Sequence, residues 1–259
     1  MASALIGGLI ADGYDPTKIW ATDPQAEKLA VMQAEFGIRI TPDNNVAVRH
    51  ADIVVLAVKP QVAKTVVSEL ANAVQTKKPL IISILAGVSE KSLCQWLGEG
   101  HVAVVRCMPN TPALTRCGAT GLYANAAVSA EQKNQAESIL RAVGVTVWVN
   151  EEKQIDIVTA LSGSGPAYFF RIMEVLEQAA VDLGLPADTA HLLTLQTCLG
   201  AARIALESNE SLKVLREHVT SPGGTTQAAL NVLQEGLPTL LREAVNAAYK
   251  RAEKLSEEL

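Results

Sequence analysis

The chain has 259 residues, of which 49% are hydrophobic, 19% charged and only 4% aromatic, and its formal net charge is −5. That length holds one large domain or two ordinary ones with well-filled aliphatic cores. An acidic chain without a basic block gives no electrostatic support for a nucleic-acid partner or an anionic membrane, and no apolar run reaches the ~20 residues of a membrane span.

Residues 4–10 read as a helix already under way at the N-terminus, without the basic segment and cleavage pattern of a signal peptide. Residues 19–22 form a strand that ends at Asp23, and 24–36 an amphipathic helix. A short strand at 38–40 and a helix at 43–50 follow. Residues 52–58 make the clearest strand, a continuous apolar run that implies burial on both faces. A helix after Pro60, a strand at 80–85, a helix at 89–97 and a strand at 102–105 continue the alternation. Segments 121–125 and 145–149 add edge strands. This β-α-β-α order calls for a doubly wound, mostly parallel sheet with right-handed crossovers and helices on both faces, a dinucleotide-binding type of domain.

After about residue 151 extended patterns vanish. Helices are expected over 155–161, 166–183, 187–207, 212–219, 226–233 and 238–255. Pro166 suits a first helical turn, and Gly184-Leu185-Pro186 stops one helix and starts the next. The chain therefore divides into a dinucleotide-binding domain, 1–150, and an all-helical domain, 151–259. The helical faces are more apolar than a small isolated bundle needs, which points to a subunit interface.

In an open parallel sheet ligands gather at the carboxyl ends of the strands. Asp23 stands where an acidic group accepts hydrogen bonds from a ribose 2′-hydroxyl. Ala57-Val58-Lys59-Pro60 ends the strongest strand with a turn suited to lie against a cofactor, Lys59 being either a ligand or an ordinary solvated lysine. Met108-Pro109-Asn110-Thr111-Pro112 is a rigid wall that either lines a nicotinamide pocket or stiffens a connection. Further on, Val219-Thr220-Ser221-Pro222-Gly223-Gly224-Thr225-Thr226 precedes a helix. It is either an anion site built on unpaired N–H groups at the helix start or a helix–helix turn with capping hydroxyls. There is no Ser-His-Asp order and no metal cluster. His50, His101, His191 and His218 sit in no catalytic setting, and Cys94, Cys107, Cys117 and Cys198 read as reduced thiols of a cytoplasmic protein. Hydride transfer tolerates these absences because a cofactor brings the reactive group.

Ala57-Val58-Lys59-Pro60, Met108–Pro112, the segment Leu161-Ser162-Gly163-Ser164-Gly165-Pro166-Ala167-Tyr168 and Val219–Thr226 resemble, in order and spacing, the signatures of pyrroline-5-carboxylate reductase. The resemblance spans the chain. It implies reduction of the cyclic imine 1-pyrroline-5-carboxylate to L-proline with NADPH or NADH, the last step of proline biosynthesis. Ser221, Gly223, Gly224 and Thr225 would hold the substrate carboxylate, and the Thr226 hydroxyl, as catalytic group, would hydrogen-bond the ring nitrogen. Ala2, Asp23, Asn44, Ala57, Val58, Lys59, Pro60, Met108, Asn110 and Thr111 would contact the cofactor. The resemblance also implies a homodimer that completes the site across subunits, often within a larger ring.

Two departures from the family pattern stand out. The family opens with a strand and a Gly-rich turn, whereas this chain starts at Met1-Ala2, at the end of that turn. The expectation is that about ten residues, one strand plus a turn, are omitted, and that such a loss leaves neighbouring strands unpaired and weakens cofactor binding. Asp23 should repel a 2′-phosphate, which favours NADH or dual use. Two other readings compete: a hydroxy- or keto-acid reductase, which would need a lysine base from the helical domain, and a non-catalytic dinucleotide- or metabolite-binding module.

Overall fold

A computed structural model describes residues 1–98 and 100–258. The chain falls into two compact units, 1–164 together with 248–259, and 165–247.

In the first unit α1 (Ala2–Ala11), β1 (Trp20–Thr22), α2 (Ala26–Phe36), β2 (Arg39–Thr41), α3 (Asn44–His50) and β3 (Ile53–Leu56) come first. They are followed by α4 (Pro60–Glu69), α5 (Ala71–Lys77), β4 (Leu80–Ser83), α6 (Glu90–Trp96), β5 (Val104–Met108), β6 (Gly118–Ala124), α7 (Ala130–Arg141) and β7 (Gly144–Trp148). The strands form two ladders, β1-β2 and β3-β4-β5-β6-β7. All pairings are parallel except β5–β6, where Arg106 lies opposite Tyr123. β1 and β3 are not paired with each other.

Side-chain alternation splits the core between two faces. Ile81 and Val104 pack with Val67 of α4, Val74 of α5 and Leu93 of α6. On the opposite face of the same strands, Leu80, Ile82, Val105 and Cys107 pack with Leu5 of α1 and Leu140 of α7. Helices thus cover both faces, as a doubly wound sheet requires. Local chemistry sets the helix ends. Asp43 accepts the Asn45 N–H at 2.8 Å to start α3, and Ser89 accepts the Ser92 N–H at 3.0 Å to start α6. Gly37, at φ 67°, ends α2 in the left-handed region where glycine carries no Cβ penalty.

Several expectations are corrected. β3 is not buried on both faces: only Leu56 is buried and Val55 is 36% exposed. As the last strand of its ladder β3 is open on one edge, and β4 is the strand buried at every position. β5 starts two residues later than expected and runs to Met108, so the wall of residues 108–112 begins inside the strand. β6 is an interior strand rather than an edge. α7 was not among the expected elements, although Ser129 and Gln132 form a full capping box at its start.

The short helix α8 (Gln154–Val158) runs into a π-helical turn, Thr159–Gly163. The helical unit consists of α9 (Gly165–Asp182), α10 (Ala187–Glu207), α11 (Leu212–His218) and most of α12 (Thr225–Glu258). α12 is one helix of 34 residues where two were expected, and Pro238 lies inside it. A proline removes one N–H and crowds the preceding turn. The helix continues across that loss because both flanking segments keep a helical pattern.

Candidate active site

Most of the expected cofactor residues lie just past strand carboxyl ends. After β1, half-buried Asp23 accepts the Gln25 N–H through Oδ1 at 2.8 Å, and its other oxygen has no hydrogen-bond partner among the described residues. Past β2, the Thr41 hydroxyl accepts the Asp43 N–H at 3.2 Å, and half-buried Asn44 opens α3. At the end of β3, Ala57 is exposed, Val58 rests on the core, and Lys59 is the exposed N-cap of α4 with Pro60 in the first turn. Ala2 is exposed at the first position of α1, whose N-cap Met1 makes no side-chain cap bond.

At the end of β5 the residues are tightly engaged. Met108 is half-buried, Asn110 is 9% exposed and Thr111 is open to solvent. The Asn110 Oδ1 accepts the Ala119 N–H at 2.9 Å, and its Nδ2 donates to the Ser162 carbonyl at 3.0 Å. The structure therefore joins residues of two separate motifs, 108–112 and 161–168. Glycine allows the approach: a Cβ on Gly163 would lie 2.7 Å from Met108 Cε.

Below this loop lies a charge cluster that the sequence reading missed. Arg106 is 4% exposed and donates through Nη1 to Glu152 Oε1 at 2.6 Å, with Asp156 Oδ1 3.9 Å from its Nη2. Glu152 Oε1 also accepts the Glu90 N–H at 2.6 Å. Burial raises the Asp156 carboxyl above its ordinary range, and the Arg106 charge opposes that rise. The signal was available: a single arginine in the apolar run 102–108 must find carboxylates once the run is buried. Cys94, beside Glu90, is pushed up to about 12 by burial and by its hydrogen bond to Glu90, which leaves it a protonated, unreactive thiol.

In the helical unit the 219–226 segment is a turn running into α12. Gly223 has φ 71°, and the Gly224 N–H bonds the Ser221 carbonyl at 3.0 Å. The Thr220 hydroxyl donates to the Arg216 carbonyl at 2.6 Å. Gln227, also missed from sequence, reaches back with Oε1 to accept the Gly223 N–H at 2.6 Å and fixes the loop. Ser221 and Thr225 are exposed, and Gly224 and Thr226 are half-buried. Thr225 is the first residue of α12, so the N–H groups of its opening turn lack intrahelical acceptors and point outward, as an anion-binding terminus requires.

Each of the four histidines is partnered or exposed. His50 stacks on Trp20 with ring centroids 5.3 Å apart, His191 pairs with Glu177 and His218 with Glu210, and His101 is exposed. Among the described residues no group of side chains has metal-ligand geometry, and no helix is long and apolar enough to cross a membrane.

Residues 152–255 match the family model for pyrroline-5-carboxylate reductase dimerisation, and residues 1–87 match the model for NADP oxidoreductase, coenzyme F420-dependent. The chain is 52% identical to the pyrroline-5-carboxylate reductase of Pseudomonas aeruginosa, over 100% of its own length and 94% of that protein's. Its fold is similar to the pyrroline-5-carboxylate reductase of Coxiella burnetii, with a TM-score of 0.95 and 50% identity over 98% of this chain and 94% of that one. It is also similar to the NADP-bound pyrroline carboxylate reductase of Plasmodium falciparum, at TM-score 0.86 and 28% identity, with 98% and 94% of the two chains covered. Doubly wound and helical parts, motif order and full-length similarity agree: the chain belongs to the pyrroline-5-carboxylate reductase family.

Proposed function

We propose that the chain reduces 1-pyrroline-5-carboxylate to L-proline, the last step of proline biosynthesis, with NADH or NADPH as the electron donor. The observation that carries this reading is the 220–226 turn. It sets a glycine-rich backbone, an exposed Ser221 and a half-buried Thr226 at the start of a 34-residue helix. A carboxylate suits the opening turn of that helix. Ser221, Gly223, Gly224 and Thr225 hold it there, and the Thr226 hydroxyl stands beside the imine nitrogen, steadying the proton that remains on the amine. With the ring fixed at two points, orientation supplies much of the rate.

The residues of the first unit fit a dinucleotide. Asp23 presents an uncommitted carboxylate oxygen for a ribose hydroxyl, and the exposed turn 57–60 and the 108–111 loop offer backbone and walls for the remainder. When bound, the cofactor supplies the hydride that reaches the imine carbon. Residues 1–150 form the cofactor-binding domain in this reading, and 151–259 the substrate-binding and dimerisation domain. The protein works in the cytoplasm as a homodimer, assembled into a larger ring. The helical unit supports self-association, because among residues 165–247 only Gly165 and Ala190 are buried, while Phe169, Phe170, Leu192, Leu206 and Val232 are each more than 60% exposed.

The test is the loss of reduced-nicotinamide absorbance with 1-pyrroline-5-carboxylate, run with NADH and NADPH in parallel. Turnover supports the reading, and a lower KM for NADH supports the role of Asp23. Nicotinamide binding without imine turnover favours the binding-module reading instead.

A further inference from the structure

The turn of residues 159–163 carries the chain toward its helical unit, and the first unit grips it closely. The Ser164 N–H that follows it bonds the Thr159 carbonyl at 2.8 Å, and the Ser162 carbonyl is left to accept from elsewhere because Pro166, four residues on, has no N–H. Asn110 Nδ2 supplies that bond at 3.0 Å, while Asn110 Oδ1 is occupied by the Ala119 N–H at 2.9 Å. Glycines bring the surfaces together on either side. A Cβ on Gly163 would meet Met108 Cε at 2.7 Å, and one on Gly121 would meet both Val158 methyls at 2.8 Å.

One acceptor and one donor are needed here, a fixed distance apart, and a primary amide provides both. At 9% exposure the Asn110 side chain is turned into the protein and committed to those bonds. We propose that Asn110 is a positioning residue, whose amide ties β6 and the Ser162 turn together and so fixes the 108–111 loop for the nicotinamide without itself holding the cofactor. The inference rests on the reading of that loop as the nicotinamide side of the site. It replaces the direct cofactor contact expected for Asn110 from sequence.

The variant Asn110→Asp tests it in the full chain. As a carboxylate, the new side chain still accepts the Ala119 N–H but sets a second oxygen against the Ser162 carbonyl. As a neutral acid it restores the donor, and burial beside a carbonyl favours that neutral form. At mildly alkaline pH, kcat should fall about tenfold or more, with the NADPH dissociation constant from equilibrium fluorescence titration changed by about twofold or less. On acidification the ratio of variant to parent kcat should climb toward one. Arg106, Cys107, Arg116, Cys117, Tyr123, Glu152, Lys153 and Asp156 are the charged or titratable groups on and beside the elements packed here. They are common to both proteins, so whatever pH dependence they give the parent divides out of the ratio, and what remains is the new carboxyl with its coupling to them.

A pH-independent ratio, an unchanged kcat at alkaline pH, or a loss of cofactor affinity larger than the loss of kcat would each overturn the assignment. If the aspartate variant does not fold, Asn110→Ser leaves a single short hydroxyl that cannot reach both the Ala119 N–H and the Ser162 carbonyl. It should lower kcat with cofactor affinity preserved, and an unchanged kcat would again overturn it. A parent chain that binds nicotinamide but leaves the imine untouched would contradict the proposed function instead, and the cofactor titration of Asn110→Asp would still decide whether Asn110 is a cofactor ligand.

Discussion

Arg106→Met would measure how firmly the buried charge cluster holds the first unit together. The change removes the cation that faces Glu152 at 2.6 Å and Asp156 at 3.9 Å, whose side chains are 27% and 12% exposed. Breaking a buried pair by deleting one partner costs about 3–5 kcal/mol, because the other charge is left without compensation. Glu152 keeps the Glu90 N–H and some solvent, which puts the expected loss near the lower end, about 3 kcal/mol. That is a factor of roughly 150 in the folding equilibrium and about 6–12 °C in the melting midpoint for a chain of this size. Guanidinium unfolding followed by tryptophan fluorescence, at fixed protomer concentration, reads it as a lower midpoint with an unchanged slope. The pH dependence has a definite sign. Asp156 is already raised above its ordinary 3.8 by burial, with Arg106 pulling the other way, and removing Arg106 raises it further. A carboxyl that binds its proton more tightly folded than unfolded makes stability fall as pH rises from the unfolded value through the folded one. The deficit of the variant should therefore be largest at neutral pH and shrink on acidification. Neutralising the carboxylates as well, with Glu152→Gln and Asp156→Asn, should recover most of the loss. A midpoint equal to the parent's at neutral pH, or a deficit that ignores pH, would refute the reasoning.

Thr226→Ala should lower kcat about 10²-fold while cofactor affinity stays nearly constant, if the hydroxyl acts at the imine nitrogen as proposed; unchanged turnover removes it from the mechanism. Gly8→Ala places a methyl 2.7 Å from the Ala142 carbonyl oxygen and Val143 Cγ1, and should cost about 1–3 kcal/mol in thermal melting. Alkylation at mildly alkaline pH, followed by mass spectrometry, should mark exposed Cys117 well before Cys94 or Cys107, whose thiols burial holds protonated. Early modification of Cys94 or Cys107 would contradict that order. The melting midpoint should rise with protomer concentration, because the helical unit buries so little within one chain; a concentration-independent midpoint argues against self-association.

Much of this architecture was legible from hydrophobic runs and punctuation. The order of strands and helices through β5 follows from short apolar segments separated by helical periods, and Pro60, Pro166 and Gly184 mark ends that the structure keeps. Failures came where pairing rather than pattern decides. The run 52–58 is as apolar as any central strand, yet β3 is an open-edged strand, a fact that no local composition records. Residues 121–125 read as an edge strand, but β6 starts at Gly118, Gly121 faces Val158 closely, and the strand is interior. Residues 234–237 read as a break between two helices, but α12 runs through them and through Pro238. The loops proposed to carry the chemistry were visible as motifs. What was not visible is which side chains are spent inside the protein, as with Asn110 and Gln227, because their partners are backbone groups 52 residues away for one and four for the other.

In the proposed reaction the chain moves a hydride onto the imine carbon of 1-pyrroline-5-carboxylate. The most direct measurement supplies reduced nicotinamide deuterated at its reactive carbon and examines the product by mass spectrometry and NMR. Proline carrying one deuterium on the ring carbon next to nitrogen, formed in step with cofactor oxidation, is the expected result. Cofactor oxidation without labelled proline, or no oxidation with either nicotinamide, would contradict it.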